Sequence, residues 1–292
     1  MLGKMTAKTV WFMTKRWKTF PMRRRMLGWV KRAGHTGLGG SPVRVKMSAE
    51  TVMEVDPADE HGWALLVDRA LEPRVADAFK AILRKGDTVL DVGANHGYFT
   101  LLASSLVGHG GHVYSFEPDP PVAKLLFENV RLNNCANVKL HHAAVSNAAG
   151  TTRFNVPAPR PGAPPVAVEV PVIVIDAIAE EMPKARLVKI DVAGAELLAL
   201  EGMRELLGYD RPFVILDATD ARIRKVHGDA SQVFTLFRSL GYSTYEIGPH
   251  GARAIDRPTH ESILLLAVPP GAHPPDLTPG HLPLSGGGPG RG

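Results

Sequence analysis

The strongest constraint on the fold is a rhythm between residues 88 and 268, where short apolar runs rich in β-branched residues alternate with longer segments of helical period. The runs are 88–92, 112–116, 138–142, 187–191, 213–217 and 242–247, and segments 97–107, 122–132, 196–207 and 232–240 carry the helical spacing. Strands that are apolar throughout are buried on both faces, which calls for a parallel sheet covered by helices. The expected fold is therefore a doubly wound, Rossmann-like α/β domain with a mostly parallel sheet. Residues 263–268 follow without a long helix and are expected to run antiparallel. Residues 151–156 and 169–174 break the rhythm and predict a small inserted strand pair, joined by the Pro-rich loop 157–165. Ahead of the sheet, 73–83 predicts a helix, and 43–46 with 52–55 a hairpin.

The ends differ from this body. Twelve of the 34 basic residues and none of the 29 acidic ones lie in residues 1–46, which leaves the remainder acidic by about seven charges. An acidic body is a poor surface for tracking phosphates, so a nucleic acid partner is not expected. The basic leader, 1–46, interleaves Trp11, Trp17, Phe20 and Trp29 with Lys and Arg. That pattern suits peripheral contact with an anionic membrane and equally a flexible basic arm. No stretch is long and apolar enough for a span. The domain proper is expected over 47–268. Residues 269–292 hold seven prolines and seven glycines and are expected to be a disordered tail. Cys135 is the only cysteine, which excludes an internal disulfide and fits a reducing, cytoplasmic compartment.

The residues that carry chemistry stand at strand ends. Asp91-Val92-Gly93-Ala94-Asn95-His96-Gly97 follows the first core strand and opens a helix, the place where open α/β sheets bind nucleotide-like ligands. Gly93 and Gly97 allow a tight turn, with Ala94 and Asn95 between them. A carboxylate before the glycines repels a pyrophosphate but suits a cation, and S-adenosylmethionine presents an ammonium and a sulfonium. Asp91 thus argues against a nicotinamide dinucleotide. Glu117, at the end of the second strand, suits the hydroxyls of a ribose. Lys189-Ile190-Asp191-Val192-Ala193-Gly194-Ala195-Glu196 closes the fourth strand. Lys189 and Asp191, two apart, share a face. Asp191 is expected at the cofactor amine or the acceptor, Lys189 in an ion pair or the chemistry, and Glu196 in the first helical turn or the chemistry. His141 and His142 end the third strand. No zinc-binding helix motif or EF-hand loop accompanies them and no metal site is expected, with a divalent ion held by Asp191, Asp217 and neighbours as the minor alternative.

These three separated motifs, 87–103, 114–118 and 189–196, resemble the FkbM family of class I methyltransferases over roughly 71–248. The resemblance implies a seven-stranded sheet, S-adenosylmethionine as cofactor, and O-methylation of a small-molecule hydroxyl on a sugar or secondary metabolite. Asp176 is similar to an aspartate of the family. Two positions depart from its pattern: Ala193 stands where the family has Glu, and Asp217 where it has a Glu at a strand end. Ala193 keeps a second reading open, a cofactor-binding module without turnover. A third, an oxidoreductase using a nicotinamide cofactor, is opposed by Asp91.

Overall fold

The computed structural model describes residues 42–48, 50–57, 60–156 and 164–278. Its central sheet has eight strands. Five are parallel and lie side by side in the order β5 (Val138–His141), β4 (His112–Phe116), β3 (Thr88–Val92), β9 (Ala185–Ile190) and β10 (Phe213–Asp217). Next come β13 (Leu264–Val268), antiparallel to β10 as its short connection predicted, and β11 (Ser243–Gly248), antiparallel to β13. The eighth strand, β12 (Gly251–Ala254), corrects the expected seven. It returns along β11 through a turn at Pro249 and His250, and Gly251 takes the required positive φ of 109°.

Side-chain alternation divides the core between the two faces of this sheet. Leu90, Val92, Val188, Ile190, Val214 and Leu216 face one cluster, filled by α5 (Glu196–Glu201), α6 (Arg204–Tyr209), α7 (Asp220–Val226) and α8 (Ala230–Ser239). Val89, Leu187 and Ile215 face the other, where α2 (Pro73–Ile82) and α3 (Tyr98–Val107) pack. The chain leaves β3 toward β4 and β5, then returns to β9 on the other side of β3. That reversal opens the crevice at the carboxyl ends of β3 and β9.

The helix expected over 196–207 is two helices. Gly202 separates them because a Cβ there would lie 2.0 Å from the carbonyl oxygen of Ser146. The Asp176 carboxylate then accepts from the backbone N–H of Glu205 and Leu206, each at 2.9 Å, and holds the start of α6. The inserted pair, β7 (Gly150–Val156) and β8 (Val166–Ile173), becomes a three-stranded sheet once β6 (Ala144–Val145) pairs parallel to β8. Most of the Pro-rich loop expected over 157–165 lies outside the described residues.

A third apolar cluster joins the hairpin of β1 (Val43–Lys46) and β2 (Val52–Val55) to Leu65 and Leu66 of α1 (Glu60–Asp68) and Leu101 of α3. Asn129, fully buried on α4 (Pro120–Leu132), fastens it. Its amide donates to the carbonyls of Glu54 and His96 at 2.8 Å and accepts from the N–H of Glu54 at 2.6 Å. The expected leader therefore ends too late at 46, since β1 belongs to the folded body. The membrane-contacting reading of residues 1–41 lies outside the described residues. The expected tail starts too early, because Ala272 and Leu277 pack against the second cluster; residues 279–292 lie outside the described residues. Among the described residues no helix is long and apolar enough to cross a membrane.

Candidate active site

Parallel pairing of β3 with β9 sets Asp91 directly beside Lys189 on the face that carries Val89 and Leu187. On the other side of β3, Ser115 of β4 is the partner of Asp91. A polar row thus crosses a sheet face that is otherwise apolar. Asp91 is fully buried, accepts a 2.7 Å hydrogen bond from Thr100 Oγ1, and lies 3.4 Å from the ammonium of Lys189. Lys189 also donates to the carbonyl of Gly93 at 3.1 Å, stands 3.7 Å from Asp191, and lies 5.2 Å from the centre of the Phe99 ring. Burial opposes its charge, but Asp91, Asp191 and Glu72 outweigh burial and hold the ammonium above the ordinary lysine range.

This geometry corrects two expectations. The cation that satisfies Asp91 is Lys189, so Asp91 has neither the exposure nor the free charge to take a cofactor ammonium directly. Lys189 is engaged by Asp91, Asp191 and the carbonyl of Gly93, which is the geometry of a residue that orders the strand ends. Glu196 is a third correction. It is 1% exposed, and its Oε1 accepts from the N–H groups of Gly194 at 3.0 Å and Val192 at 3.3 Å. It shapes the loop after β9 and does not line the crevice.

The loop 93–97 is held from below. The N–H groups of Gly93 and Ala94 donate to the carbonyl of Phe116, and that of Asn95 to Glu117 Oε2 at 2.9 Å. Glu117 Oε1 accepts from Asp119 N–H at 3.0 Å, and each carboxylate oxygen keeps a lone pair. Burial raises the Glu117 pKa, opposed by these two backbone bonds. The glycines serve chain packing. A Cβ on Gly93 would sit 1.9 Å from the carbonyl oxygen of Asp191, and one on Gly97, whose φ is +90°, would sit 2.5 Å from Leu126. Gly93 therefore lets the two strand-end loops touch, and both that contact and its φ of +77° call for glycine.

Above the loop is a narrow cavity lined by His61, Leu65, Leu71, Asn95, Lys189 and Asp191, among others. Asp191 is about a third exposed there. His61 and Glu72, which sequence reasoning missed, meet it: one ligand atom from each of the three lies within 4.8 Å of the others. The pKa of Glu72, an exposed residue with a φ of 41°, is raised by partial desolvation and then by Asp191. Neither residue carries a local signature; docking of α1 and the turn into α2 bring them in. Asp217 accepts from Thr219 at 2.8 Å and Ser262 at 3.1 Å, pairs with Arg222 at 3.5 Å, and its charge adds to the rise of the Glu72 pKa. His141 stacks on Phe116 at 4.7 Å between ring centres, and desolvation and Lys139 lower its pKa. His142 is exposed and its Nε2 lies 3.1 Å from the carbonyl oxygen of Pro118. Ala193 is exposed at a φ of 52°.

Residues 91–244, a little over half of the chain, match the model of the methyltransferase FkbM domain. The chain is 30% identical over 145 residues to a protein-L-isoaspartate O-methyltransferase of Ignicoccus hospitalis, a match that spans 50% of this chain and 60% of that relative's length. Among solved structures, the methyltransferase FkbM of Methylobacillus flagellatus is similar at 15% identity and a TM-score of 0.41, over 84% of this chain and 59% of that one. A precorrin-6y C5,15-methyltransferase of Geobacter metallireducens is similar at 13% identity and a TM-score of 0.41, over 67% and 87%. The match over 91–244 includes the loop after β3, Glu117 and the whole 189–196 motif, and on it this chain belongs to the FkbM methyltransferase family.

Proposed function

We propose that the protein binds S-adenosylmethionine at the crevice between β3 and β9 and transfers its methyl group to a hydroxyl of a small molecule. The observation that carries this reading is the pair of carboxylates flanking the 93–97 loop. Glu117, at the end of β4, keeps lone pairs for the two hydroxyls of a ribose. Asp191, at the end of β9, is the acid that reaches the cavity. When bound, the cofactor supplies a methyl group on a sulfonium. The acceptor oxygen forms the new C–O bond as the S–C bond breaks, and its proton must leave. Asp191 is the residue in reach to orient that hydroxyl and take the proton. Lys189 fixes Asp191, and Glu196 fixes the loop that follows. The relative from Ignicoccus, described as an O-methyltransferase, supports an oxygen acceptor.

The test begins with S-adenosylhomocysteine. Calorimetric titration should show binding to the wild-type protein, and Glu117→Ala should weaken it by about 1–3 kcal/mol, the scale of a lost hydrogen bond to a charged group. Asp191→Asn should still bind it, while methyl transfer to a hydroxyl acceptor found by screening with labelled cofactor falls by about 100-fold. Absence of binding in the wild type overturns the reading. Binding without transfer to any acceptor favours the module without turnover, which the missing acid at Ala193 motivates.

A further inference from the structure

We propose that His61, Glu72 and Asp191 form a site for a divalent first-row metal ion at the mouth of the cavity, against the sequence expectation of no metal. The three residues come from separate parts of the chain, α1, the turn before α2 and the end of β9, yet one ligand atom from each lies within 4.8 Å of the other two. A cation bound by N and O ligands sits at about 2.0–2.2 Å from each, so side-chain rotation of about an ångström closes the set. One imidazole with two carboxylates suits Mn, Fe, Co or Zn better than Ca, which takes six or more oxygens.

Charge supplies an independent reason. Lys189 is shared between Asp91 at 3.4 Å and Asp191 at 3.7 Å. Among the described residues no lysine or arginine lies within ion-pair distance of Glu72. Two carboxylates thus converge where one shared ammonium is already engaged, and a divalent ion balances the excess. The residues around the set hold it in place. A Cβ on Gly62 would lie 1.9 Å from the carbonyl oxygen of Asp56, so glycine there lets the start of α1 close onto the chain before it and seat His61.

An ion held here through one oxygen of Asp191 would lower the pKa of a nearby acceptor hydroxyl and leave the second Asp191 oxygen to take the proton. That role rests on the proposed methyl transfer; binding of the ion does not. The rival source of positive charge is the cofactor itself, so the probe is Co2+ alone. Titration of the full chain, stripped with chelator, should give visible d–d absorption saturating at one ion per chain. His61→Ala and Glu72→Gln should each weaken Co2+ binding by about tenfold or more, with circular dichroism melts showing that both variants fold. Glu72→Gln, at an exposed residue, guards against a folding defect in the other variant. No absorption change in the wild type, or wild-type Co2+ affinity in both variants, overturns the site. Binding of S-adenosylhomocysteine is measured on the same sample: Co2+ bound without it sinks the cofactor reading and keeps the metal site, and the reverse sinks the metal site alone.

Discussion

Glu196 has almost no access to solvent and two backbone amides on one of its oxygens. Burial raises its pKa, and the amides of Gly194 and Val192 offset part of that rise. A carboxyl whose folded pKa stands above its unfolded one favours the folded state most at low pH. That contribution is lost as pH rises through the folded value, and each unit of elevation is worth about 1.4 kcal/mol. Glu196→Gln keeps an oxygen for the two amides and carries no charge at any pH. Its melting midpoint relative to the wild type should therefore rise as pH increases from about 4 upward; a difference that is flat or falls with pH removes the buried charge from the account. At this scale the sequence makes some things legible and hides others. That Lys189 and Asp191 share a face follows from strand period alone. That Lys189 lies beside Asp91 depends on the register between β3 and β9, which no local pattern encodes. The same missing register is why Asp91 reads from sequence as a cofactor contact when its partner is a lysine.

Elements with strong period are legible because burial on one or both faces writes itself into the spacing, as in β3, β4, β9 and α8. The break between α5 and α6 is not, because Gly202 is required by a distant carbonyl, that of Ser146, and not by its own helix. The hairpin β1–β2 is predictable as strands, but its use is not. It belongs to the platform for α1, and thus for His61, and that platform hangs on Asn129. An Asn on the inner face of a helix reads as a defect in an apolar stripe until its three hydrogen bonds to Glu54 and His96 are seen. Asn129→Ala removes them and leaves the buried groups they satisfied without partners, at about 1–3 kcal/mol for each unsatisfied group. Hydrogen exchange should then speed up across residues 43–68 while β9 and β10 stay protected. Uniform acceleration over the whole sheet would instead show that the hairpin is part of one cooperative unit with it.

The molecule as a whole ends later than its composition suggests. Proline and glycine are dense from Pro269 onward, and composition averaged over 24 residues cannot separate the stretch that packs from the rest. Ala272 and Leu277 lie against the cluster that contains Leu266, Val268 and Ile247, residues of the paired strands β11 and β13. Thr278 also comes within 3.7 Å of the position a Cβ on Gly251 would take, so the segment runs beside the turn into β12. Partial burial of one leucine and one alanine is worth about 1–2 kcal/mol at 25 cal/mol per Å2 of apolar surface. In a folded body of this size that corresponds to about 2–4 °C in melting midpoint. A chain truncated after Val268 should therefore melt a few degrees below one truncated after Thr278, under identical buffer and without cofactor. The comparison between two truncations cancels any contribution from residues 279–292. Equal midpoints would show that 269–278 contributes nothing measurable and return the domain boundary to Val268, whereas a drop much larger than this range would mean that the segment also holds β12 against β11.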